Sequence, residues 1–379
     1  MPFCEASKSA GEENGMKIFY WRYGHGSTKV LLIIGLAATH DSWGPQIKGL
    51  TGTLEPNDEE APATVGGGTD GLDEEEEGIE VCCFDNRGVG RSSVPTKKSE
   101  YTTTIMAKDA LALLDHLGWR KAHVFGHSMG AMIACKLAAI APERLCSLAL
   151  LNATGGGFEC FPKIDRQMLS LAFRFLRAKT PEQRALVDLE THYTQEYVKA
   201  ISSTGMQSNS GFEGQINACW THKMKPKELD TIRSSGFLVS VIHGRDDIIA
   251  QLNHAKRLAE KLQPAARMVE LHGGHLVSHE RPEEVNLALI ELIKASKSKL
   301  RPKDWSYLPE RASGWLVLGM PISLSIRSHG ANGLVTVYNL FGKIQLSFLY
   351  FIGVFVMGFQ QMRNFLRIMK PVRVAVSDS

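Results

Sequence analysis

The sequence has no cysteine pair in C-x-x-C spacing, and its cysteines are odd in number: Cys4, Cys82, Cys83, Cys135, Cys146, Cys160 and Cys219. This argues against a disulfide framework and against a zinc site. Buried, reduced thiols in a reducing compartment are the expectation. An excess of charge of one sign is also missing. Lys and Arg number 43 against 40 Asp and Glu, a net of +3 over 379 residues. With no basic cluster interleaved with aromatics, nothing points to nucleic acid. The opening stretch MPFCEASKSAGEENG carries no apolar core. Residues 1–15 therefore read as a flexible N-terminus rather than a secretory leader, and a cytosolic location is expected.

Hydrophobic residues make up 44% of the chain, enough for a real core. The length accommodates one large α/β domain of about 250 to 300 residues plus extra segments. That domain is read over 16–299. Within it the runs KVLLII, IEVCCFD, KAHVFG, LCSLALLN and FLVSVIHG are apolar and end at Gly, Asp or Asn or lead into them. Such runs suit strands buried on both faces of a parallel sheet. Between them lie helical patterns. TTIMAKDALALLDHLGW has an apolar stripe of helical period, with Thr102 to Thr104 as caps and Gly118 as a stop. Alternating strands and helices predict a mostly parallel, doubly wound α/β sheet.

Three segments stand apart. Residues 51–78 hold ten acidic residues and no basic one, and almost no large apolar group. Such a segment cannot bury enough surface to offset its ordering entropy, so it reads as a disordered surface insertion. Residues 155–235 form a long helical excursion between two of the apolar runs. Residues 300–379 are a hydrophobic and basic tail with two apolar stretches, Trp315 to Ile326 and Ile344 to Phe359. The second has 16 residues, roughly 24 Å of helix against a hydrocarbon core of about 30 Å. Membrane association through 315–359, with 344–359 as the segment concerned, stands beside packing on the domain or on a partner.

One motif carries chemistry. FGHSMG places Ser128 between Gly126 and Gly130, at the junction of a strand and a helix. At such an apex a serine takes strained backbone angles and its oxygen is exposed, while glycines two positions away let strand and helix approach. A nucleophilic serine needs a base, an acid that orients the base, and N–H donors for the oxyanion. FLVSVIHGRDDIIA supplies the acid: Asp247, with Asp246 as runner-up. LHGGHLVSHERPEEV supplies the base: His275, after a two-glycine turn, in preference to His272 and His279. The chain order Ser, Asp, His is that of a strand-turn-helix nucleophile. The oxyanion donors are the backbone N–H of Met129 and, after KVLLII, that of Leu36. His127 shares the elbow and is expected to point away from the site.

Together these residues resemble the α/β-hydrolase superfamily, and FDNRGVGRSS, Phe84 to Ser93, is similar to its Asp-x-Arg-Gly-x-Gly-x-Ser segment. The resemblance covers about Met16 to Ala295 and is greatest to the esterase and lipase-like group with an inserted helical cap, which it places at residues 155–235. It implies hydrolysis of a carboxylic ester through an acyl-enzyme on Ser128, with no metal or organic cofactor. Relatives that act on haloalkanes or epoxides carry Asp where Ser128 stands. Many members end the oxyanion strand in His-Gly, where this chain has Ile34-Gly35. Acyltransferase relatives carry His-x-x-x-x-Asp, where Glu280 follows His275 here. The alternatives left open are acyl transfer to another acceptor and a slow or non-catalytic ligand receptor. Met168, Leu169, Leu171, Phe173, Phe175 and Leu176 of the cap suggest an apolar pocket for a small, lipid-like or hydrophobic ester.

Overall fold

A central sheet of eight strands organises the chain, in the order β1-β2-β4-β3-β5-β6-β7-β8. The computed structural model describes residues 2–6, 15–57, 78–160, 166–177, 187, 190–192 and 209–308. The strands are β1 (Phe3–Ala6), β2 (Met16–Tyr23), β3 (Thr28–Ile33), β4 (Ile79–Phe84), β5 (Ala122–His127), β6 (Leu145–Leu151), β7 (Leu238–Gly244) and β8 (Ala266–Leu271). From β4 to β8 all neighbours pair in parallel, and β1 and β2 are antiparallel additions at one edge. Val30, Leu31, Leu32 and Ile33 of β3 are all buried. Both sheet faces are therefore covered, which is why the central strands read as unbroken apolar runs and not as alternation.

Helices α1 (Gly44–Thr51), α2 (Thr103–His116), α3 (Met129–Ile140), α4 (Arg166–Arg177), α5 (Asn209–Thr221), α6 (Pro226–Ser234), α7 (Leu252–Lys261), α8 (Val277–Glu280), α9 (Pro282–Lys297) and α10 (Pro302–Ser306) accompany the sheet, with four short 3-10 turns among the described residues. One core cluster joins Leu31, Ile33, Val124 and Val239 to Leu113 of α2, Ile133 of α3 and Leu258 of α7. The other joins Val30, Leu32, Phe125 and Ile242 to Ile47 of α1, Leu289 of α9 and Trp305 of α10. Local signals set the helix ends. The Thr102 side chain accepts from Ile105 N at 3.1 Å at the start of α2. Pro282 opens α9, with Glu283 and Glu284 in its first turn and Lys294 and Lys297 in its last, matching its dipole. α3 is rich in small side chains and nearly all buried, because it lies between the sheet and neighbouring helices.

Some expectations need correction. Within the stretch 1–15, Phe3–Ala6 form β1: Cys4 and Ala6 point into the core and Phe3 meets the Phe19 ring edge-on at 5.5 Å. The folded core continues past residue 299. Trp305 is 1% exposed, donates from Nε1 to Val239 O at 2.7 Å, and lies under the Arg267 guanidinium at 5.0 Å. Helix α6, counted with the cap, packs on α3: Lys136 Nζ bonds both Glu228 carboxylate oxygens at 2.8 Å, and Ile232 is fully buried. Leu171 is buried, whereas Leu169 and Phe173 are 55% and 58% exposed.

Of the acidic insertion, residues 58–77 lie outside the described residues, as do both apolar stretches of the tail and the Phe175 and Leu176 side chains. Among the described residues no helix is long and apolar enough to cross a membrane. All seven cysteines are free.

Candidate active site

The C-terminal ends of five adjacent strands meet at one crest. In sheet order these ends carry Leu36 after β3, Ser128 after β5, Asn152 after β6, Asp247 after β7 and His275 after β8. In parallel sheets this edge is where helix N-termini and loops converge on a ligand.

Ser128 sits at the apex between β5 and α3 with φ 54° and ψ −118°. A non-glycine residue there is strained, by an amount on the order of 1–3 kcal/mol. The surroundings over-determine that geometry. Ser128 N donates to Leu151 O at 2.9 Å, and Ser128 O accepts from Ala131 N at 3.0 Å. A Cβ on Gly126 would stand 2.3 Å from Gly130 O, and one on Gly130 would stand 2.0 Å from Ile33 O. Both obstacles are backbone, so neither position admits a side chain without moving the strand or the helix.

The His275 ring bridges two partners. Nδ1 lies 2.8 Å from Asp247 Oδ2, and Nε2 lies 2.9 Å from Ser128 Oγ. With Nδ1–H donating to the carboxylate, Nε2 is left to accept from the serine hydroxyl. His275 and Asp247 are 4% and 7% exposed, while Ser128 is half-buried. The structure thus brings Ser128, His275 and Asp247 into one hydrogen-bonded line. Asp246 lies elsewhere: it is half-exposed and pairs with His272 Nδ1 at 3.0 Å. His279 Nε2 donates to Ser42 O at 2.7 Å.

Asp247 is held at both oxygens. Oδ1 accepts from Ile249 N at 2.9 Å and Ala250 N at 2.8 Å, and Oδ2 accepts from Asn152 Nδ2 at 2.6 Å as well as from His275. Burial alone would raise the carboxyl's pKa. The His275 charge and hydrogen bond, His243 and the Asn152 amide outweigh it and hold the group below its ordinary value. The carboxylate that faces His275 is therefore held ionised.

Two backbone segments flank Ser128. Met129 is the first residue of α3, where N–H groups lack intrahelical acceptors and the dipole favours negative charge. Leu36 follows Gly35, whose added Cβ would stand 3.2 Å from Ser128 Cβ, so this loop runs directly beside the serine. From the Asp-Asn-Arg-Gly turn, Asn86 Nδ2 donates to Ile34 O at 2.8 Å, and Asp85 Oδ1 accepts from His40 N at 2.9 Å.

Sequence reasoning misses Asn152 and His192. Asn152 carried no signal beyond its place at a strand end; its φ of 47° is one that Asn tolerates better than most residues. His127 does not turn idly away. Its buried ring donates from Nε2 to His275 O at 2.8 Å and meets the His275 ring at 5.2 Å; burial pushes its pKa down to about 3, so it stays neutral. His192, from the cap, contacts the His275 ring at 5.8 Å, and its carbonyl accepts from Leu276 N at 3.0 Å. Glu280 accepts from Gly274 N at 3.1 Å and so braces the turn that carries His275.

Known proteins match over this same region. BpoC of Mycobacterium tuberculosis, provisionally assigned as a non-heme bromoperoxidase, is 28% identical over 233 residues, covering 58% of this chain and 85% of that protein. RutD of Caulobacter sp. strain K31, provisionally assigned as a carbamate hydrolase, is 25% identical over 278 residues, covering 70% and 90%. Among solved structures, the enol-lactonase of Burkholderia xenovorans LB400 superposes with a TM-score of 0.57 at 21% identity, over 77% of this chain and 100% of that one. A thermophilic esterase of Thermogutta terrifontis gives 0.57 at 20% identity, over 78% and 99%. These structures share the fold. The model of the alpha/beta hydrolase fold family matches residues 29–282, and the chain belongs to that family.

Proposed function

We propose that the chain is a serine hydrolase that cleaves a carboxylic ester through an acyl-enzyme on Ser128. The observation that carries this reading is the pair of distances at His275: 2.9 Å to the Ser128 hydroxyl and 2.8 Å to the Asp247 carboxylate. Ser128 Oγ attacks the carbonyl carbon as its proton passes to His275 Nε2. Asp247 holds the ring in the tautomer that can accept this proton and stabilises the imidazolium that forms. The oxyanion is received by the N–H groups of Leu36 and Met129. His275 then protonates the leaving alcohol. It next deprotonates a water that attacks the acyl carbonyl, releasing the acid and restoring Ser128.

A hydrophobic acyl or alcohol group is the proposed substrate class, on the apolar composition of the cap. Because a carbamate hydrolase is assigned among the relatives, a carbamate belongs beside esters in any substrate panel. The test is covalent labelling with a fluorophosphonate probe, with the modified peptide mapped by mass spectrometry. A single label on Ser128 is expected. In Ser128→Ala the label and the turnover of p-nitrophenyl esters should both be lost. A folded wild-type protein that takes no label and turns over no ester or carbamate would sink the reading.

A further inference from the structure

Gln215 lies on the cap helix α5, distant in sequence from Ser128, and is 0% exposed. Its side chain joins two loops of the sheet crest. Oε1 accepts from Ala37 N at 2.9 Å, and Nε2 donates to Arg87 O at 3.0 Å. Ala37 is the residue after Leu36 and has φ 61°, a left-handed conformation that a non-glycine residue holds only when its neighbours impose it. On the other side of Leu36, the Ile34 carbonyl accepts from Asn86 Nδ2 at 2.8 Å. The segment from Ile34 to Ala37 is therefore clamped at both ends, and the Leu36 N–H lies between the clamps.

Helix α5 is firmly seated where it makes this contact. A Cβ on Gly214 would stand 2.4 Å from the Tyr101 ring, and one on Gly88 would stand 3.0 Å from Gly211 Cα, so helix and loop meet with no room to spare. Asn217 Nδ2 adds bonds to Lys98 O and Tyr101 O, both at 3.2 Å. Helix α5 is thus tied to the loops on either side of it by side-chain hydrogen bonds.

We infer that Gln215 is a positioning residue, through which cap helix α5 fixes the loop that aims the Leu36 N–H at the oxyanion. This inference rests on the acyl-transfer reading above. Its physical basis is preorganisation: a donor stabilises developing charge only if it is already aimed when the charge appears. Without the Gln215 bonds, relaxation of Ala37 toward an unstrained φ would swing the adjacent peptide groups, including that of Leu36.

The test compares Gln215→Met, which keeps the volume and loses both bonds, with Gln215→Glu. Glutamate keeps the side-chain shape, and its protonated carboxyl can accept from Ala37 N while donating to Arg87 O. With p-nitrophenyl butyrate, Gln215→Met should lower kcat about 10- to 100-fold, with KM within about twofold. Affinity for an alkyl trifluoromethyl ketone, whose adduct carries the oxyanion, should fall in proportion. Gln215→Glu should recover activity to within about threefold of wild type. Asn217→Ala is the control for docking alone and should lower stability while leaving ketone affinity unchanged.

Wild-type kcat and ketone affinity in Gln215→Met would overturn the inference, as would a loss confined to KM. If Gln215→Met does not fold, hydrogen exchange in the wild-type chain decides: the Ala37 amide should be protected, and exchange at a free-loop rate would overturn the clamp. A wild-type chain that is labelled at Ser128 but indifferent to Gln215 rejects only this inference. A chain without label or turnover rejects the hydrolase reading, and the exchange measurement still reports on the clamp.

Discussion

Asn152 Nδ2 donates to Asp247 Oδ2 at 2.6 Å, sharing with His275 Nδ1 the same carboxylate oxygen. The amide also reaches Gly274 O at 3.2 Å, one residue before His275. A single side chain on β6's exit thus ties the acid from β7 to the turn from β8. With Asn152 removed, the carboxylate keeps its two backbone donors on Oδ1 but is free to rotate Oδ2 away from the imidazole.

Replacing Asn152 separates two effects. Asn152→Ala loses the carboxylate contact and leaves at φ 47° a residue less tolerant of that conformation than asparagine. It should lower kcat for p-nitrophenyl butyrate about tenfold and stability by about 1–2 kcal/mol. Asn152→Gly accepts the backbone angle but still lacks the amide. It should regain about 1 kcal/mol over the alanine variant without regaining kcat. Full recovery of kcat in the glycine variant would show that only the backbone matters at this position.

Acid should destabilise the fold through histidines that stay neutral inside it. Burial lowers the pKa of His127 and His222 to about 3 and of His123 to about 4. Unfolded, each titrates near 6.5. Below that pH the unfolded chain binds protons that the folded chain does not, so stability is full above about pH 7 and falls as pH drops toward 4. The slope is up to about 1.4 kcal/mol per pH unit for each group. Denaturant midpoints at pH 7.5, 6.5 and 5.5 should decrease in that order. His123→Asn, in which the Ser147 hydroxyl loses its partner, should show a shallower decline by about one proton. Midpoints that do not move between pH 7.5 and 5.5 would rule this account out.

The parts of the site legible in the sequence are those that backbone geometry forces into a pattern. Ser128 needs Gly126 and Gly130 because a Cβ at either would strike backbone, so spacing alone betrays the elbow. Asp247 and His275 follow strand ends in a required order, and continuous apolar runs mark the sheet. Asn152 and Gln215 had no such mark. Each acts through a side chain that meets its partner only in three dimensions, across 95 residues for Asn152 and 178 for Gln215. β1 was hidden because it is a four-residue edge strand in a polar stretch, and only pairing with β2 makes it regular. Trp305 sat in a segment that reads as tail, since one aromatic leaves no periodicity.

Trp305 offers a direct measure of where the folded unit ends. Its indole is buried against Val239 and Arg267, so Trp305→Ala leaves a cavity, takes one donor from the Val239 carbonyl and uncovers the guanidinium. The expected cost is about 3–5 kcal/mol. A chain ending at Lys299 should lose at least as much, and it should keep the Ser128 label in its folded fraction because the site lies at the far end of β7. Equal stability of the Lys299-ended and full-length chains would return the boundary to residue 299.

Arg87 and Asp109 form a buried ion pair: two bonds of 2.6 Å between groups that are 4% and 2% exposed. Arg87 also donates to Glu100 O at 2.8 Å, while its own carbonyl receives Gln215. Removing one partner strands a buried charge, at about 3–5 kcal/mol. Removing both with apolar residues should recover much of that. The direction with pH distinguishes this from a simple packing loss. Burial already pushes the Asp109 carboxyl upward against the pull of Arg87, so in Arg87→Met the carboxyl rises further and takes a proton. A folded-state pKa above the unfolded value gives stability that is present at low pH and lost as pH rises through the folded pKa. The Arg87→Met penalty should therefore grow between pH 5.5 and 8, and Arg87→Met/Asp109→Leu should show no such growth. A penalty independent of pH in the single variant would mean that Asp109 finds another partner when the guanidinium is gone.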